Sequence, residues 1–94
     1  MRLLVATIFL FSASYATAGE ETLCLAEAIY FEARDQPLLG QIAVAVVIKN
    51  RMMHPRYPST VCGVVRQGRY WNGNPVRNKC QFSYFCDGKP ERPA

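Results

Sequence analysis

Histidine is nearly absent from this chain: among 94 residues there is one, His54, in the proline-bounded stretch MMHPRYP, where it reads as a plain loop residue. With no cysteine pair at finger-like spacing, that scarcity leaves no pattern for a zinc site. A nucleophilic triad is equally short of parts, because the serines have no elbow context. No metal and no cofactor are expected. A dense basic stripe is missing too. The net charge is +4, and the basic residues are scattered apart from a loose group at Arg66, Arg69, Arg77 and Lys79. Nucleic-acid binding would require a denser stripe and a recognisable reading element, so no nucleic-acid partner is expected. A mild positive balance also suits an anionic polymer, and solvated loops are the ordinary alternative. There are no internal repeats and no low-complexity tracts.

What is present begins with MRLLVATIFLFSASYATA. A positive start at Arg2, an apolar run from Leu3 to Phe11 and the small-residue pattern Ala16-Thr17-Ala18 form the three parts of a secretory signal peptide. Cleavage is expected after Ala18, and the run is too short for a comfortable membrane span. The domain expected at 19–94 is small and has a marginal core, so it requires staples. Cys24, Cys62, Cys80 and Cys86 supply them if the chain is exported, with three pairings open.

TLCLAEAIYFEAR, Thr22 to Arg34, reads as a helix with Thr22 as its N-cap. Pro37 interrupts it, disfavouring helical geometry at Gln36, and suits the first turn of a second helix. That second segment is ambiguous. Ile42 to Ile48 are seven consecutive apolar residues, consistent with a buried strand or a helix. The pattern continues from Leu38 to Met53, which favours a helix. A helix apolar on nearly all sides belongs at the centre of a core. Ser59 or Thr60 can cap a short third helix through Arg66 that Gly68 ends. Asn72-Gly73 signals a turn in a hairpin or a loop excursion, and Gln81 to Phe85 reads as one short strand after it. The tail KPERPA reads as frayed.

One short stretch, IYFEARDQP, carries the chemical question. Glu32 directly follows Tyr30 and Phe31, and it is the only carboxylate with strongly apolar sequence neighbours. If it faces a cleft, burial raises its pKa and makes a general acid. The ordinary alternative is a helix-surface glutamate paired with a cation. Glu27, five residues back, points well away from it on a helix, and Asp35 sits at a helix end. The paired carboxylates of most glycosidases are therefore not evident.

CLAEAIYFEARDQPLLGQIAVAVVIKNR, PRYPSTVCGVV and CQFSYFCDG together resemble the cell-wall hydrolase family typified by spore cortex-lytic enzymes. The ordered match runs from about Leu23 to Gly88. Glu32-Ala33-Arg34, Gly40-Gln41-x-Ala43-Val44-Ala45, Asn50-Arg51 and Gln81-Phe82-Ser83 are its most specific pieces. The resemblance implies an α+β, mostly helical domain, similar to lysozyme-like and resuscitation-promoting-factor catalytic domains, with a small β element beside a sugar groove. It implies a lytic transglycosylase acting on peptidoglycan glycan strands in the periplasm or outside the cell. The bond cut is the β-1,4 link between N-acetylmuramic acid and N-acetylglucosamine.

The resemblance puts the catalytic glutamate at Glu32. Because the substrate's own C6 hydroxyl attacks in such an enzyme, one carboxylate suffices. Gln81, Ser83, Tyr84, Tyr30 and Trp71 are the implied substrate contacts. On a strand, Gln81 and Ser83 would share a polar face, and Phe82 and Tyr84 the core face. Two departures stand out. Asp35-Gln36 replaces the family's usual Gly-Glu, and no Gly-Ala-x-His-Tyr type motif follows CDGKP. The domain is therefore expected to be truncated at its C-terminus, with a non-catalytic wall-binding remnant as the competing reading.

Overall fold

A computed structural model describes residues 17–90. The expected signal peptide falls mainly on residues outside that span, as do residues 91–94 of the tail. The first described helix, α1, runs Ala18–Ala33. Its N-cap is Thr17, whose Oγ1 accepts from the Glu20 backbone N–H at 3.2 Å. This corrects the expectation of Thr22, whose hydroxyl instead donates to the Ala18 carbonyl at 2.9 Å, inside the helix. Thr17-Ala18-Gly19-Glu20 has the threonine-x-x-glutamate spacing of a capping box, and Glu20 and Glu21 suit the positive end of the helix dipole.

α1 ends where Pro37 requires it. Pro37 is extended and N-caps α2, Leu38–Met52, so the break and the second helix follow the sequence reading. The placement of α2 does not. Val44, Ile48 and Met52, spaced by four, face the core, and only Ile48 is fully buried. Leu38, Leu39, Ile42 and Val46 are exposed, Leu39 at 80 %. The helix was expected at the core's centre, yet it flanks the core. Its main packing partners, α1 and the short helix α3 at Val61–Val65, meet one stripe of it. A run apolar on every side specifies burial, not how many sides find a partner.

Two elements cap α3. Thr60 Oγ1 accepts from Gly63 N–H at 3.0 Å. From α1, the Glu21 carboxylate accepts from the Val61 and Cys62 N–H groups at 2.6 and 3.2 Å. These bonds satisfy donors that a helix start leaves without intrahelical partners. The Cys24–Cys62 disulfide joins the same two helices, and Ala28, Val64 and Val65 complete the buried contact.

The β element is an antiparallel hairpin of β1, Gly68–Trp71, and β2, Asn74–Cys80. Asn72 and Gly73 both have positive φ, 49° and 78°, as the tight hairpin turn favoured by Asn-Gly demands. Trp71 faces Asn74 and Gly68 faces Cys80, with a register shift between Gly68 and Tyr70.

The strand expected at 81–85 is instead a 3-10 turn, Ser83–Cys86. The Cys80–Cys86 disulfide explains why: its Cα atoms are 6.1 Å apart, whereas six extended residues would span about 20 Å. The turn buries Phe82 and Tyr84 against the helices. The architecture is thus α+β and mostly helical, with one small sheet.

Candidate active site

Helical geometry answers the question raised by Glu32. Each residue turns the side chain by about 100°, so three neighbours in sequence face three ways. Phe31 stacks on Tyr84, with ring centroids 4.9 Å apart and planes 13° apart. Tyr30 sits edge-on to Phe31 at 5.1 Å and receives a 3.1 Å hydrogen bond from Arg34 Nη1. That bond, the charge interaction with Tyr30 and the nearby Asp35 hold the Arg34 pKa above its ordinary value. Glu32, at the last turn of α1, points into a groove of about 300 Å³.

The groove has three walls. α1 contributes Glu32, α2 contributes Ala43, Val44, Val47 and Arg51, and the segment after β2 contributes Gln81 and Phe82. Ala43, Val47 and Arg51 recur every four residues and so lie along one face of α2. Arg51 is half-buried, and its guanidinium lies over the Tyr57 and Phe82 rings at 5.5 and 5.7 Å. Such stacking suits a planar, weakly hydrated cation.

Among the described residues the one ion pair within 4.0 Å is Arg34–Asp35, at 3.9 Å, so Glu32 and Arg51 share the groove without pairing. The surface-ion-pair alternative for Glu32 is thereby disfavoured. Glu32 is nonetheless exposed, so the burial on which the sequence argument relied is absent.

Of the residues implied as substrate contacts, only Gln81 joins Glu32 in this groove. Ser83 and Tyr84 border a different hollow with Phe31, Arg34, Asp87, Lys89 and Pro90. Gln81 and Ser83 therefore do not share a strand face, because there is no strand. Tyr84 is a core residue, 7 % exposed. Tyr30 lines the far side of α1 with Ala26, Ile29, Arg34 and Gln41. Trp71 is 74 % exposed on the hairpin, and Tyr70 donates its hydroxyl hydrogen bond to the Arg66 carbonyl. All four cysteines are paired, Cys24–Cys62 and Cys80–Cys86.

The sequence reading gave Arg51 and the Ala43–Val47 wall no role. Their four-residue spacing was the available signal, masked by the continuous apolar run. Gln81 also borders a second hollow of about 320 Å³ with Gln67, Gly68, Arg69 and Lys79. Gln67 Oε1 is buried there with no hydrogen-bond partner among the described residues, an arrangement that costs about 1–3 kcal/mol.

Chemically, among the described residues Glu32 is the one carboxyl lining its groove, and no histidine lines it. The Arg51 guanidinium presents several N–H donors that can hold an electron-rich oxygen. The Gln81 amide can donate and accept hydrogen bonds. The arrangement offers one proton-transferring group, one fixed cation and one amide beside an apolar wall.

Comparison with known proteins gives this arrangement a family. Residues 35–94 match the Cell Wall Hydrolase family, and the chain belongs to it. The match begins just after Glu32. Among relatives, a spore cortex-lytic enzyme of Halalkalibacterium halodurans is 51% identical over 41 residues, covering 44% of this chain and 12% of that protein. One from Bacillus subtilis is likewise 51% identical over 41 residues, 44% of this chain and 13% of the relative. One from Bacillus cereus is 49% identical over 45 residues, 48% of this chain and 17% of the relative. The shared segment thus spans less than a fifth of each relative's length. No solved structure matches the chain.

Proposed function

We propose that this chain is an exported peptidoglycan-cleaving enzyme of the lytic transglycosylase type, with Glu32 as its single acid and base. Glu32 protonates the glycosidic oxygen between N-acetylmuramic acid and N-acetylglucosamine as the bond to the anomeric carbon breaks. The C6 hydroxyl of the same muramic residue then bonds to that carbon and returns its proton to Glu32, leaving a 1,6-anhydro end. Atoms balance without water, and the glutamate is regenerated. Arg51 and Gln81 orient sugar oxygens, and Ala43, Val44 and Val47 form the apolar wall.

The observation carrying this reading is that Glu32 lines a groove with Arg51 and Gln81 and, among the described residues, has no second carboxylate beside it there. Hydrolysis by a carboxylate pair would lack its second member there. Export belongs to the same proposal, with residues 1–18 as the signal peptide; its removal takes away the Thr17 cap and leaves Gly19 as the first residue of α1. A wall-binding module without catalysis is the competing reading, favoured by the exposure of Glu32.

Digestion of purified peptidoglycan by the chain and by Glu32→Gln, with mass spectrometry of the products, tests both. Anhydro-ended fragments from the unsubstituted chain, falling about 10²- to 10⁴-fold in the variant, are the expected result. Ordinary reducing ends would mean that water is the acceptor. Wall binding without cleavage by either form would favour the binding module, and equal cleavage by both would remove Glu32 from the mechanism.

A further inference from the structure

The hollow next to the groove has chemistry of its own. Gln67 and Gly68 precede or open β1, Arg69 lies within it, and Lys79 comes from the end of β2. Cross-strand pairing of Gly68 with Cys80 brings the segments together, and Gln67 and Gln81 are joined by a backbone hydrogen bond of 3.0 Å from Gln81 N to the Gln67 carbonyl. Gly68 lies close against its neighbours: an added Cβ would come within 2.8 Å of both Cys80 Cα and the Lys79 carbonyl oxygen.

Arg69 and Lys79 are exposed, and among the described residues neither meets a carboxylate within 4.0 Å. The sequence offers few such partners, with no Asp or Glu between Asp35 and Asp87. Gln67 adds the buried, unpartnered Oε1. Two cations without acidic partners and two amides thus border one hollow, and Gln81 connects it to the groove that holds Glu32.

We propose that this hollow is a subsite for the peptide stems of the glycan strand, with Arg69 and Lys79 holding stem carboxylates. The exposed Gln81 amide meets the stem's N–H and C=O groups, and the Gln67 side chain lines the hollow beside it. The inference rests on peptidoglycan as substrate: a muramic residue in the Glu32 groove carries its stem on the lactyl group, so a carboxylate-bearing peptide must leave the groove beside it. A free phosphate or a phosphate-bearing wall polymer would satisfy the cations but would have no use for the amide. The stem satisfies both.

The test is binding, kept separate from cleavage. The full chain carrying Glu32→Gln is titrated with soluble glycan strands bearing stems and with the same strands stripped of stems by an amidase. Arg69→Gln/Lys79→Gln, made in that background, is titrated in parallel. Stem-bearing strands should bind about 2- to 30-fold more tightly, the range for two exposed charge pairs. The preference should shrink as salt is raised from about 0.05 to 0.5 M. The double variant should bind both strands at the stripped level, and Arg69→Lys/Lys79→Arg should restore the preference, which separates lost charge from lost fold.

Equal binding of stripped and stem-bearing strands overturns the proposal, as does a preference that survives in the double variant. Displacement of stem-bearing strands by a phosphate-bearing polymer at equal charge overturns the assignment to stems. Stem-dependent binding without cleavage by the unsubstituted chain would refute the catalytic reading and leave this subsite standing. Cleavage with no stem preference would do the reverse.

Discussion

Replacing Cys24 and Cys62 with alanine should be the most damaging change to the scaffold. The disulfide closes a separation of 38 residues, the other one of 6. Loop-closure entropy removed from the unfolded chain is then about 4 kcal/mol for Cys24–Cys62 and about 2 kcal/mol for Cys80–Cys86. A domain of this size has roughly 4–11 kcal/mol of stability in all, so the first bond matches much of the total. The midpoint of thermal unfolding should fall by about 15–30 °C without Cys24–Cys62, and by about half as much without Cys80–Cys86. Circular dichroism on the two double-alanine variants, each with its other bond oxidised, measures both. Because Cys24 and Cys62 are also in the core cluster, packing loss adds in the same direction. An equal or larger loss from the Cys80–Cys86 pair would refute the ranking and the reasoning behind it.

Five further variants have expected outcomes in chemical denaturation. Ile48→Ala, at the single fully buried position of α2, should cost about 2–5 kcal/mol. Leu39→Ala, on the exposed side of the same helix, should stay within about 0.5 kcal/mol; comparable losses would mean that the exposed side is covered. Glu21→Ala removes both acceptor bonds to the start of α3 and should cost about 1.5–3 kcal/mol, with faster amide exchange at Val61 and Cys62. Gly73→Ala adds a Cβ into open space at φ +78° and should cost about 1–2 kcal/mol. Gly68→Ala, which drives a Cβ into backbone atoms, should cost more.

Local chemistry determined the parts of this fold that lie within a few residues of their cause. Pro37 divides α1 from α2 because its ring disfavours helical geometry in the residue before it. Thr60 starts α3 and Asn72-Gly73 turns the hairpin because a side-chain acceptor and positive φ are needed at those points. Glu32 was marked by its neighbours alone. The family was also legible, since short ordered motifs carry it.

Tertiary structure decided the rest. Four cysteines allow three pairings, and only chain packing chose between them. The Cys80–Cys86 bond then excluded the strand expected at 81–85, moving Ser83 away from the groove that Gln81 enters. The apolar run of α2 announced burial but not which stripe α1 and α3 would cover. Arg51 meets Glu32's groove across two helices and a turn. Sequence spacing sets the direction of a side chain within one helix, whereas the partner it meets depends on how separate elements pack.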